Sequence, residues 1–183
     1  MNHTIAVLVE NQFGVLARVA GLFSARGFNI DSLAVGETND PSISRMTITV
    51  NGDNRIVEQI MKQLNKLVDV IEVVDLSSGE IIERELVLAK VKADATTRSE
   101  IMQIVSTFRA KIVDVSPESL TVEVTGGQGK ADAMLELLSP YEILEVVRTG
   151  IVALSRRDVL QAPPQEAPKS SKKETRSKLK TAK

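Results

Sequence analysis

The stretch TIAVLVENQFGVLARVAGLFSARGFNIDSLAVGE (4–37) passes through three backbone periods in turn. Residues 4–10 are apolar on both faces and rich in β-branched side chains, as a central strand requires. Asn11-Gln12-Phe13-Gly14 interrupts them as a turn. Val15, Leu16, Val19, Ala20, Leu22 and Phe23 then recur at helical spacing, and Arg26-Gly27 closes that helix with glycine at a left-handed cap position. Residues 28–37 read as a second strand.

Working outward, Asn39-Asp40-Pro41 signals a turn. In a third strand Met46, Ile48 and Val50 share one face, and Arg45, Thr47 and Thr49 the other. Asn51-Gly52-Asp53 breaks it. Ile56, Val57, Ile60, Met61, Leu64 and Leu67 mark a second helix, and residues 70–76 a fourth strand. Ser77-Ser78-Gly79 reads as a linker, after which the same order returns. Residues 85–93 are strand-like; Ile101, Ile104, Val105 and Phe108 are helical; residues 111–115 form a strand and 116–119 a turn. Leu120, Val122 and Val124 alternate, Ala131, Met134, Leu135 and Leu138 mark a helix, and residues 143–154 supply a last strand and its extension. The chain is therefore α+β, two ferredoxin-like βαββαβ units of about 75 residues each. The expected divisions are 1–77, 83–158 and a disordered basic tail over 159–183.

Right-handed crossovers give each sheet the strand order 4-1-3-2 with both helices on one face. The other face needs a cover or must tolerate water, and sequence alone leaves open which residues of the third strand lie on it. The second strand falls at an edge with unpaired backbone groups. Pairing that edge with a second copy would extend the sheet across a two-fold axis, and a unit this small is marginal alone. A homodimer through the first unit is expected.

The composition narrows the chemistry. Of 183 residues 43% are hydrophobic and 26% charged, as in soluble globular proteins. Absence of cysteine excludes disulfide scaffolds and thiol catalysis, and a single histidine, His3, argues against Ser/His catalysis or a histidine-rich metal site. Aromatic residues are only 3%, too few for base-stacking platforms. No apolar run reaches the ~20 residues of a membrane span. The strand pattern begins by Thr4, which leaves no room for a leader, so a cytoplasmic protein is expected. From Gln161 onward six Lys and one Arg face Glu166 and Glu174, so the tail carries +5 and the remainder −6. Such a tail solubilises, or makes a basic contact with nucleic acid or an acidic partner.

Asn11 to Val15 is the most pointed local feature. A strand ends, a glycine permits close backbone approach, and a helix begins whose first amides form an anion site. Asn11 offers both a donor and an acceptor. The junction suits the carboxylate and ammonium of a free amino acid; Asn11 could equally serve as a helix cap. Gly27-Phe28-Asn29-Ile30 is the second feature, either a helix stop with Phe28 and Ile30 in the core or a segment placing Asn29 at a dimer edge. Gly126-Gly127-Gln128-Gly129-Lys130 lacks the spacing of a phosphate loop and reads as a turn before a helix. Glu83-Arg84-Glu85 and Arg156-Arg157-Asp158 read as solvated charges, and no nucleophile, base and orienter come together.

At residues 7–36, with SRMTITVNGD (44–53), QLNKLVDVIEV (63–73), ERELVLAKVKA (83–93) and GIVALSRRD (150–158), the chain resembles the small regulatory subunit of acetolactate synthase, or acetohydroxyacid synthase. The likeness covers about 1–158. It implies an N-terminal ACT domain, a βαββαβ amino-acid sensor, joined to a C-terminal domain of similar topology. It further implies a non-catalytic chain with no cofactor of its own. The partner would be the large catalytic subunit, which carries thiamine diphosphate, Mg²⁺ and FAD and condenses two pyruvates, or pyruvate with 2-oxobutyrate, on the way to valine, leucine and isoleucine. The small subunit would raise that activity and confer feedback inhibition by valine, or by leucine or isoleucine. The effector would lie at the ACT dimer interface, with Asn11, Gly14, Val15 and Leu16 from one chain and Asn29 and Ile30 from the other. Phe13 and Ala17 depart from the residues common beside that pocket, which leaves effector preference open. A stand-alone amino-acid sensor is the alternative. An RNA-binding module of the same strand order lacks support, because 4–10 and 45–52 carry no aromatic residue.

Overall fold

The computed structural model describes residues 2–77 and 79–156. The order is β1 (Asn2–Glu10), α1 (Val15–Ala25), β2 (Ser32–Glu37), β3 (Ile43–Asn51), α2 (Asn54–Leu64) and β4 (Val70–Asp75), then β5 (Ile81–Lys92), α3 (Arg98–Thr107), β6 (Lys111–Val115), β7 (Ser119–Gly126), α4 (Gln128–Leu138), β8 (Ile143–Arg148) and β9 (Val152–Ser155). The sheets run β2-β3-β1-β4 and β6-β7-β5-β8, both antiparallel and both in the expected order. The tail over 159–183 and Arg157-Asp158 lie outside the described residues, as does Ser78 of the linker.

Strand alternation places each core. Ile5, Val7 and Val9 of β1 and Met46, Ile48 and Val50 of β3 meet Val15, Val19 and Phe23 of α1 and Val57, Ile60 and Leu64 of α2. The second unit repeats this with Val87, Ala89 and Val91, Leu120, Val122 and Val124, and the apolar stripes of α3 and α4. Register then settles what the sequence left open. Thr4 faces Thr49, Ala6 faces Thr47 and Leu8 faces Arg45, so the helix-free face of the first sheet carries the polar set.

That face is covered by an element the strand count missed. Residues 143–154 are not one extended strand. They break at Thr149-Gly150-Ile151, where Gly150 has φ 82°, a left-handed conformation that glycine adopts without strain. β9 then pairs with the first four residues of β5, Ile81–Arg84, which begins earlier than residue 85. This two-stranded ribbon crosses the first sheet. Ile151 and Ala153 close over Ala6 and Leu76, with Val74 and Ile81 packed alongside.

The two units end their first helices alike with different residues. After α1, Gly27 N–H donates to Ser24 O and Phe28 N–H to Phe23 O, and Gly27 has φ 68°. After α3, Arg109 N–H donates to Ser106 O and Ala110 N–H to Val105 O, with Arg109 at φ 51°. Both are paired 5→2 and 6→1 closures that need a left-handed residue. An L side chain there costs roughly 1–2 kcal/mol, part of which glycine returns through its freer unfolded state. Arg109→Gly is therefore expected to stabilise the second unit by about 0.5–1 kcal/mol, measured as a rise in the denaturant midpoint at unchanged slope. A midpoint lowered or unmoved would contradict it.

Candidate functional site

The junction after β1 is built by hydrogen bonds between loops. Asn11 N–H donates to Ser42 O at 2.7 Å. The Asn11 side-chain amide donates to Glu37 Oε1 (3.1 Å) and Pro41 O (2.9 Å), which ties the junction to the β2–β3 connection. Asn11 therefore does not cap α1. The cap position belongs to Gly14, with φ 81° and ψ −5°, and no side chain accepts from the first turn, which also lacks acidic residues. A helix start with amides lacking intrahelical partners and no neutralising carboxylate on its own first turn is a favourable place for an anion. Arg18, one turn on, is held by Asp69, with Nε at 2.7 Å from Oδ2.

The four junction residues differ in what they offer. Gly14 needs its glycine, because φ 81° strains any L residue. Val15 is a core residue, packed with Val19 and Phe23, and its backbone N–H donates to Gln12 O at 3.4 Å. Leu16 is half exposed, and Phe13 stands fully in solvent.

Asn29 and Ile30 lie elsewhere. The segment 28–30 is not part of β2, which starts at Ser32. Ser32 pairs with Thr49 and Asp31 N–H still reaches Thr49 O, but β3 ends at Asn51 and turns into α2, so Phe28 and Asn29 run past the end of the partner strand. Asn29 is exposed and donates to Asp31 Oδ1 at 2.7 Å, while Ile30 packs against the first core. The structure thus groups Asn11, Gly14, Val15 and Leu16, and sets Asn29 and Ile30 apart. The junction adjoins the Glu37 end of β2, the Asn29 segment leads into its Ser32 end, and six strand residues separate these ends by roughly 20 Å. β2 is the outer strand of its sheet.

Two hollows between the units escaped the sequence reading. A cleft of about 610 Å³ is lined by Asp31, Ser32, Thr49, Glu85, Arg148 and Gly150, among others. Glu85, expected as a solvated charge, is only 4% exposed and pairs with Arg148 (3.1 Å), which also holds Asp132. A Glu85 inward on β5 and an Arg148 on the adjacent β8 give a cross-strand pair that neither stretch announces alone. A second groove of about 390 Å³ runs between β2 and the ribbon. The glycine-rich stretch expected as a turn is shared out instead: Gly126 ends β7, Gly127 caps α4, and Gln128-Gly129-Lys130 is the first turn of that helix, from which Lys130 folds back to donate to Thr125 O (2.9 Å). Among the described residues no His, Asp or Glu cluster could hold a metal ion, and no helix is long and apolar enough to cross a membrane.

Comparison with known proteins covers both units. Residues 5–72 match the AHAS small subunit-like ACT domain, and residues 84–157 match the small subunit of acetolactate synthase. The acetolactate synthase small subunit of Mycobacterium bovis is 55% identical over 154 residues, spanning 84% of this chain and 92% of that protein. That of Mycolicibacterium smegmatis is 55% identical over 154 residues, 84% and 91% respectively. Among solved structures, the acetolactate synthase small subunit of Thermotoga maritima superposes with a TM-score of 0.79 at 44% identity, over 87% of this chain and 99% of that one.

Proposed function

Because this chain belongs to the small-subunit family of acetolactate synthase and is a regulatory rather than a catalytic subunit, we propose that it senses valine at the edge of its first sheet and transmits valine occupancy to the catalytic subunit. The first unit, residues 1–77, is the amino-acid-binding and dimerising ACT domain. Residues 83–158 form the second domain. The chain needs no cofactor of its own; thiamine diphosphate, Mg²⁺ and FAD belong to the catalytic partner, whose activity it raises in the cytoplasm.

The observation that carries this reading is the open β2 edge with complementary groups at its opposite ends. Two copies paired antiparallel through β2 bring the Glu37 end of one strand to the Ser32 end of the other. Each Asn11–Leu16 junction then faces the partner's Asn29 segment, which no single chain achieves. The first-turn amides of α1 receive a carboxylate. The Asn29 side-chain oxygen accepts from an ammonium, and Leu16 and Ile30 offer apolar contact to a branched side chain. A sensor working at micromolar to millimolar effector uses ~4–8 kcal/mol of binding free energy, and regulation needs only ~1–3 kcal/mol of difference between two states.

The decisive test is acetolactate formation by the catalytic subunit, with and without this chain, across a valine titration. Stimulation together with valine-dependent inhibition is the expected result. Stimulation without a valine response would keep the partner and discard valine as effector. No effect on a cognate catalytic subunit would leave a stand-alone sensor.

A further inference from the structure

The edge strand at its start, and its neighbour β3 near the strand's other end, are fastened to one short segment of the second unit. At the start of β2, Ile151 N–H donates to Ser32 Oγ at 3.0 Å. Gly150 lies so close that a Cβ on it would sit 2.7 Å from Ser32 Oγ and 3.4 Å from Leu33 O. Near the other end Gly36 pairs with Arg45, and Arg45 Nη2 donates to Ala153 O at 2.8 Å. The segment 150–153 leads into β9, β9 pairs with the first residues of β5, and β5 continues without interruption as a central strand of the second sheet. Ser32 is two residues from Ile30. A displacement at the edge thus meets close backbone packing at Gly150 and two directed hydrogen bonds, with little slack to absorb it.

We propose that Ser32, Gly150 and Arg45 are positioning residues of a joint that passes the state of the β2 edge to the second unit, and through it to the catalytic partner. The proposal rests on the valine reading above and assigns its route. Contiguity of the contacts motivates it; coupling is the quantity to measure.

The test uses the full chain carrying Ser32→Ala, which removes the acceptor of Ile151 N–H, and separately Arg45→Met, which keeps the stem and removes the donor. Two quantities are read: valine affinity of the chain alone by titration calorimetry, and valine inhibition of the enzyme reconstituted with its catalytic subunit. In both variants the affinity is expected to stay within about twofold of wild type, which also reports a folded site. The activity remaining at saturating valine is expected to rise about fivefold or more, while stimulation without valine is unchanged. Wild-type inhibition in either variant would overturn the joint. So would a fall in valine affinity that matches the loss of inhibition, since the residues would then be shaping the site itself. A wild-type chain that binds no valine would instead sink the effector reading, before any variant is made.

Discussion

Replacing Asn29 by alanine is expected to raise the valine concentration for half-inhibition about ten- to a hundredfold, with the stimulated rate in the absence of valine unchanged. Asn29 is exposed and, among the described residues, its side chain donates to its neighbour Asp31, so its removal leaves no buried group unsatisfied and the fold intact. What is lost is a hydrogen bond to a charged ammonium, worth about 1.5–3 kcal/mol, and each 1.4 kcal/mol is tenfold in affinity. The two-chain site makes a sharper demand. Neither Asn11→Ala nor Asn29→Ala homodimers should bind valine well. In a heterodimer of the two, one site holds both lesions and the other holds neither. Equal mixing with free exchange should therefore restore about a quarter of the wild-type sites at wild-type affinity. Calorimetry on the mixture decides it: no recovery after verified exchange would place both residues in a site within one chain, or in none.

Phe23→Ala is expected to destabilise the first unit by about 3–5 kcal/mol. Phe23 is 1% exposed and packed among the strands and α2, so truncating it removes a large buried side chain and leaves a cavity. A unit of this size rarely holds more than ~3–5 kcal/mol of its own, so the variant should lose cooperative melting of that unit and valine binding with it. Phe13→Ala, by contrast, removes a ring that is wholly in solvent and should change stability by less than about 0.5 kcal/mol. Guanidinium unfolding of the two variants side by side checks both, and similar midpoints would contradict the packing described here.

The strand order and both cores were legible because they rest on local period. Met46, Ile48 and Val50 alternate visibly, and Gly27 announces its helix end. Arg109 performs the same closure without any announcement, since a left-handed arginine looks like any other in sequence. The ribbon was missed for a related reason. Gly150 turns the chain out of one sheet and across another, and nothing local says that Val152–Ser155 will pair with Ile81–Arg84, about seventy residues earlier. The grouping of Asn11, Gly14, Val15 and Leu16 at one junction follows from adjacency in the chain. Asn11's partners, Glu37 and Pro41, come from a different connection, and the cap position falls at Gly14, so the helix-cap alternative does not hold. Where Asn29 sits depends on how far β3 extends, which register alone decides.

The seat between the two units is made largely of hydroxyls. Thr4, Thr47 and Thr49 are buried on the helix-free face beside the ribbon, next to a small apolar cluster of Ala6, Leu76, Ile151 and Ala153. A seat of leucines would weld the parts together and would be adhesive if ever parted. A seat of threonines can be wetted as readily as it is covered, so its hold on the ribbon comes from directed hydrogen bonds such as Ile151 to Ser32 and Arg45 to Ala153. The contact is pinned at a few directed points more than it is glued, so what it holds is a geometry and not merely a neighbour.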